Sequence, residues 1–282
     1  MQAFASEYSQ GVSLARQARP GRKAGFIIRR GMSNLRSMLA RSFLRRIVIW
    51  KFGVRRIPVS TAHFELSLIY PLEEAAGSSS PDLLDLGLRA ARGASDIDLR
   101  QLHDRSATAR QYLSNFPGEH YQLLASLVKC LNPSRVTEIG TYTGLSALTM
   151  LTTLGAQARL TTYDVVPWDK IEGSALRSSD FADKRLEQRI GDLADPQFYK
   201  QNEDVLLESE LIFVDGPKDG RFEPAFIDLL LKTPRKTRAL LMFDDIRLWN
   251  MLRVWAELPL PKLDLTSFGH WSGTGICWLG GE

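Results

Sequence analysis

Cysteine is scarce in this chain of 282 residues. Cys130 and Cys277 are the only two, and they stand far apart without any CxxC or Cys/His spacing. That pattern excludes a disulfide framework and a structural zinc site, and it points to a reducing compartment such as the cytoplasm. Long apolar runs are missing as well: residues 47–50 and 239–243 are among the longest, against the roughly 18 to 20 residues that cross a bilayer. The start of the chain has no continuous apolar segment of the kind a secretory signal needs. With 21 Gly and 13 Pro the chain is neither collagenous nor of low complexity, and no internal repeat is present. What is there, 44% hydrophobic and 24% charged residues, suits a folded protein with a sizeable core.

Acids are nearly lacking at one end. Residues 1–60 hold 13 Lys/Arg and one acid, Glu7, a net of +12, whereas the remaining 23 basic and 31 acidic residues net −8. A basic N-terminal extension with its linker (1–80) is therefore expected to precede a folded domain (81–282), the linker being the Gly-, Ser- and Pro-containing stretch 71–82. Residues 35–52 place Leu35, Met38, Leu39, Phe43, Ile47 and Trp50 roughly on one side of a cationic helix, with Arg36 and Arg46 intruding. Such a helix suits an anionic membrane surface, and it equally suits an acidic partner, a packed subunit or the protein itself. An Arg- and Ser-rich start also resembles a mitochondrial transit peptide. Against that reading, 47–52 and 64–70 are apolar enough to belong to folded structure.

From about residue 105, short β-rich runs at 135–139, 159–164, 186–190, 211–215, 239–244, 263–268 and 275–279 alternate with helical material. This alternation predicts a doubly wound, Rossmann-like α/β sheet of seven strands. Residues 121–131 form an amphipathic helix leading into the first strand. Only 269–274 separate the last two runs, too few for a crossover, so these strands are expected to pair as an antiparallel hairpin on a mostly parallel sheet. In such sheets ligands bind beyond the carboxyl ends of the strands. Those ends are acidic here: Glu138, Asp164, Asp215, Asp244 and Asp245.

The first strand runs into Glu138-Ile139-Gly140-Thr141-Tyr142-Thr143-Gly144-Leu145-Ser146 and opens a helix. Glycines let backbone approach a ligand, and a helix N-terminus offers free N–H groups to a carboxylate or phosphate. The spacing is not GxGxxG, which argues against a dinucleotide. EIGTYTGLSAL resembles the first motif of class I S-adenosylmethionine-dependent methyltransferases, in particular the catechol and caffeoyl-CoA O-methyltransferase type, over roughly residues 105–282. The resemblance implies that Glu138, Gly140, Tyr142, Gly144 and Ser146 surround the methionine part of the cofactor, with Ser146 on its carboxylate and Tyr142 as a wall. It implies that Asp164 receives the ribose hydroxyls and that Asp192, after the third strand, contacts adenine.

Asp215-Gly216-Pro217-Lys218 ends the fourth strand and Asp244-Asp245 the fifth. Converging carboxylates repel unless protons or a cation offset them, and oxygen ligands favour hard cations such as Mg²⁺. The metal-dependent members of the family carry DxxK and DN at these places, so the resemblance implies Asp215, Asp244 and Asp245 as ligands and Lys218 as the catalytic lysine. Asp245 stands where the family usually has Asn, and Gly216-Pro217 replace the usual residues. Without a metal, Asp244 or Asp245 would cap a helix beginning near Ile246. Trp168, Trp249, His270 and Trp271 are candidates for the rim of an acceptor site.

The expectation is thus an S-adenosylmethionine-dependent O-methyltransferase acting on a small-molecule hydroxyl, with a divalent cation assisting. Alternatives are a metal-independent methyltransferase of a glycan, lipid or other metabolite, and a catalytically silent scaffold docking through its basic arm. A homodimer is left open. Nucleic-acid methylation ranks lower, because Asn132-Pro133-Ser134 precedes the first strand and no NPPY-like motif follows the fourth.

Overall fold

The computed structural model describes residues 79–115, 119–269 and 271–280. The basic segment 1–60, the expected helix at 35–52, most of the linker and His270 lie outside the described residues.

The first described helix, α1 (Pro81–Ala94), begins with proline at its first position, carries Asp82 in its first turn and Arg92 in its last, and so opposes neither its dipole nor its unpaired end groups. Helix α2 (Ala107–Asn115) starts where the Ser106 hydroxyl accepts the Ala109 N–H at 3.0 Å. Helix α3 (Glu119–Leu131) buries Leu123, Leu124, Leu127 and Val128, the spacing read from the sequence, and starts two residues earlier than expected. Then β1 (Arg135–Ile139), α4 (Leu145–Thr153), β2 (Arg159–Asp164), β3 (Leu186–Ile190), α5 (Pro196–Glu208), β4 (Leu211–Val214), α6 (Phe222–Lys232), β5 (Ala239–Asp244) and α7 (Met251–Glu257) alternate along the chain. Strands β6 (Lys262–Asp264) and β7 (Thr274–Leu279) close it.

The strands form one seven-stranded sheet in the order β3-β2-β1-β4-β5-β7-β6, parallel from β3 to β5. Strand β7 is antiparallel to both β5 and β6, as the short connection required. Strand β6 is shorter than the expected 263–268. The Asp264 carboxylate accepts the Thr266 N–H at 2.8 Å, and Phe268 and Gly269 donate to the Leu265 carbonyl, so the chain turns out of the sheet there.

Alternate strand residues feed two apolar layers. Phe213 and Met242 join Leu83, Leu127 and Met150 on one face, while Ile212, Val214 and Phe243 join Phe226 and Trp255 on the other. Both faces being covered, β4 and β5 are buried throughout, which their continuous apolar runs reflect. Helix α7 is finished by a buried lysine: Lys262 Nζ donates to the carbonyls of Trp255, Ala256 and Leu258 at 2.6, 3.1 and 3.0 Å. Among the described residues, no helix is long and apolar enough to cross a membrane.

Packing of α7 on the sheet leaves no room at Gly275, where a Cβ would meet the Trp255 ring at 2.6–2.9 Å. Gly275→Ala should therefore destabilise the protein by about 1–3 kcal/mol through overpacking, read as a lowered urea midpoint at unchanged slope. An unchanged midpoint would mean that α7 shifts freely, contrary to the packing described.

Candidate active site

The turn between β1 and α4 is dictated by a close approach. Gly140 has φ of +99° and donates its N–H to the Tyr163 carbonyl at 2.8 Å, and a Cβ there would lie 2.1 Å from the carbonyl oxygen of Asp215. Only glycine fits between the ends of β1 and β4. Tyr142 follows with φ of +42° and is 56% exposed. Gly144, at φ of +73°, precedes α4, whose first turn has no side-chain cap from it and contains Ser146.

Asp164, the last residue of β2, is held by two backbone N–H groups: Tyr142 donates to Oδ2 at 2.8 Å and Val166 to Oδ1 at 3.0 Å. The Gly191 N–H donates to the Asp164 carbonyl, bringing the end of β3 alongside, and exposed Asp192 accepts from the Ala194 N–H at 2.8 Å. Glu138 sits beneath the turn, fully buried, accepting a 2.6 Å hydrogen bond from the Thr162 hydroxyl, which also meets Thr141 Oγ1 at 2.7 Å. Burial pushes the Glu138 carboxyl up to about 8, against the opposing effect of the Ser146 and Thr162 hydroxyls. The turn residues, Asp164 and Asp192 thus lie along the carboxyl ends of β1, β2 and β3.

The second group lies along β4 and β5. Asp215, Asp244 and Asp245 bring carboxylate oxygens within 4.8 Å of one another. Asp244 ends β5 at 5% exposure, and Asp245 turns away from the strand at φ of +61°. Lys218, 6% exposed, forms ion pairs with Asp215 and, at 3.0 Å, with Asp245 Oδ2. Burial alone would lower the lysine, but Asp215, Asp245 and Asp244 together raise it above its ordinary range. The helix that the metal-free alternative would begin near Ile246 does not form; the next helix begins at Met251. Residues 246–250 make turns, because the Arg247 N–H donates to the Ser272 carbonyl and Ile246 to Gly273, joining this segment to the loop before β7. Arg247 also pairs with Asp264 and donates to Thr266 Oγ1 at 2.9 Å.

Three residues near this site carry no motif in the sequence. His120, buried at the start of α3, places Nδ1 3.5 Å from Asp244 Oδ1, and burial lowers its pKa. Glu223, in the first turn of α6, accepts the Lys218 N–H at 2.7 Å. Tyr112 lies close enough to Tyr142 and Asp215 for both to raise its hydroxyl pKa, after burial, which raises it most. The periodicity of α3 marks only its apolar face, so His120 had no signal there. Of the expected rim residues, Trp168 stacks on Phe181 at 5.4 Å and packs against the core, Trp249 takes a left-handed φ of +49° between Asp245 and α7, and Trp271 is 70% exposed.

The chain belongs to the O-methyltransferase family, whose sequence model matches residues 94–259. A protein described as a caffeoyl-CoA O-methyltransferase of Staphylococcus aureus is 15% identical, with a TM-score of 0.50 covering 70% of this chain and all of that one. An O-methyltransferase of Bacillus cereus in complex with SAH is 20% identical, with a TM-score of 0.49 over 69% of this chain and all of that one. At 15% identity the likeness to the Staphylococcus aureus protein establishes the fold alone. No curated protein matches the chain in sequence. Family and fold together make it a class I methyltransferase with S-adenosylmethionine as methyl donor.

The raised Glu138 carboxyl has a consequence for stability. Between its ordinary value of 4.5 and about 8 the unfolded chain has lost this proton while the folded chain keeps it. Its contribution is therefore fully present below about pH 4.5 and is lost as pH rises to about 8. Glu138→Gln should melt increasingly above wild type across that window and by a constant margin beyond it. A margin independent of pH would show that Glu138 is ionised throughout.

Proposed function

We propose that this protein methylates a hydroxyl of a small molecule, with Asp215, Asp244 and Asp245 holding a hard divalent cation such as Mg²⁺ and Lys218 assisting removal of the acceptor proton. The observation that carries this reading is the convergence of three carboxylates at the same sheet edge as the donor turn, with the Asp215 carbonyl packed against Gly140. Three oxygen donors of this kind fit a hard cation. A cation bound there would polarise the acceptor oxygen and ease loss of its proton. The chain's own groups do the rest. Ser146 and the α4 N-terminus receive the cofactor carboxylate, Tyr142 walls the site, and Asp164 accepts from the ribose hydroxyls, its oxygens already fixed by two N–H groups. Asp192 lies where adenine would follow. Fixing both reactants at neighbouring strand ends supplies the in-line geometry that methyl transfer demands.

The ion pairs of Lys218 favour a second reading. Its ammonium already stands between Asp215 and Asp245, and so could stabilise a single acceptor oxygen without a metal. Calorimetric titration of Mg²⁺ into protein saturated with S-adenosylmethionine separates the two. The first reading expects binding that is lost in Asp215→Asn, and Mg²⁺-dependent methylation of a vicinal-diol probe such as 3,4-dihydroxybenzoate. Absence of binding with the donor still bound would overturn it and leave the lysine-only site. In either case Lys218→Met should lower kcat by roughly 10² to 10⁴ at unchanged donor affinity.

A further inference from the structure

Lys218 has φ of +50°, a left-handed conformation that residues with a side chain seldom take unless their surroundings impose it. Two side chains surround its backbone. Glu223 is fully buried in the first turn of α6, and its Oε1 accepts the Lys218 N–H at 2.7 Å. Asn250, immediately before α7, donates to the Lys218 carbonyl at 2.8 Å and accepts from the Gly220 N–H at 3.3 Å in the orientation that satisfies both ends of its amide. Both hydrogen-bonding groups of the Lys218 backbone are therefore engaged, one from α6 and one from the turn before α7. The loop packs down on this carboxylate: a Cβ at Gly216 would lie 2.9 Å from Glu223 Oε1.

We infer that Glu223 and Asn250 are positioning residues that clamp the backbone of Lys218 from both sides and so turn its ammonium inward between Asp215 and Asp245. Neither residue takes part in the ion pairs themselves. A lysine in a surface loop ordinarily leaves its charge in water, and this one is 6% exposed because the backbone beneath it is held. The carboxylate is well placed to do so, since the first turn of a helix favours negative charge and has N–H groups to spare. Glu223 acts as an acceptor and not through its charge on the acids, so glutamine can replace it. This inference rests on the reading of Lys218 as part of the reaction site.

Pulse acetylation of the full-length protein with a water-soluble acetylating reagent, followed lysine by lysine by mass spectrometry, tests the clamp without needing an acceptor. Glu223→Ala and Asn250→Ala should each raise the rate at Lys218 about tenfold or more, the opening expected when one buried hydrogen bond is lost. Lys262, buried 4% exposed on the carbonyls that end α7, should stay slow in both, and Glu223→Gln should label like wild type. Unchanged labelling of Lys218 in the alanine variants would overturn the inference, as would Lys262 rising in step, which marks general loosening. Should Glu223→Ala fail to fold, Asn250→Ala carries the test alone. A protein that binds no cation and methylates no probe still gives this readout, so failure of the proposed function and failure of the clamp are seen separately.

Discussion

Three carboxylates with oxygens within 4.8 Å of one another repel unless protons or positive charge offset them, and Lys218 sets one positive charge among them. Much of the local structure follows from placing it there. The chain leaving β4 must double back at once, which it does through Gly216, Pro217 and a left-handed Lys218. Asp245 must leave the line of β5 to face the lysine, and it too is left-handed. Such conformations persist only where neighbours over-determine them. The neighbours here are Glu223 and Asn250 beneath the first loop, and Ser272 and Gly273, bonded to Arg247 and Ile246, beside the second.

The acidic half and the donor half of the site touch at one point. Strand β1 lies between β2 and β4, where the order of the parallel strands reverses, and the crevice beyond such a reversal is where ligands bind in open α/β sheets. The Asp215 N–H donates to Ile139, and the Asp215 carbonyl presses on Gly140, so the first acid and the donor turn cannot move independently. On the other flank, Tyr142 donates its N–H to Asp164, linking the same turn to β2. One five-residue turn thus ties Asp164 to the acids, and in the proposed reading it would set the donor's methionine end and ribose beside them. This is the preorganisation that a displacement at carbon needs, because there is little covalent work for the protein to do beyond alignment and proton removal.

The fold was largely legible in the sequence, since alternating apolar runs and the connection before β7 depend on local periodicity and length. Strands β1, β2, β3 and β5 fall on the expected residues. The trio of acids was legible because each ends or directly follows a strand, and strand ends in this topology lie together; Lys218, in the loop after β4, was singled out by its resemblance to the DxxK pattern. What was not legible depends on tertiary contact. Nothing in the spacing of α3 sets His120 against Asp244, and Glu223 reads as an ordinary acid in a helical first turn until the Lys218 N–H is seen to end on it. The short β6 follows from the turn at Asp264 and Leu265, and the turns at 246–250 from the hydrogen bonds that residues 246 and 247 give to the loop before β7; local propensity foresees neither. Trp168 was a rim candidate by residue type, and its stacking on Phe181 is a contact the sequence did not signal.

The charges also decide how the lysine and a cation relate. Three carboxylates and one ammonium leave this cluster at −2, and Asp245 contributes one of those charges where the related metal-dependent enzymes usually have Asn. A lysine in that field holds its proton firmly, since Asp215, Asp245 and Asp244 raise it despite its burial. An ammonium so held can orient an oxygen or stabilise negative charge on it, but it cannot accept a proton. Carboxylates engaged with a divalent cation would no longer favour the charged lysine to the same degree, and the cluster as a whole would be neutral. The two readings of the site therefore differ in what Lys218 does: with the cation it is freed toward the role of base, and without the cation it remains a fixed positive charge. The Asp at 245 favours the first, because it deepens a charge deficit that one lysine leaves unfilled.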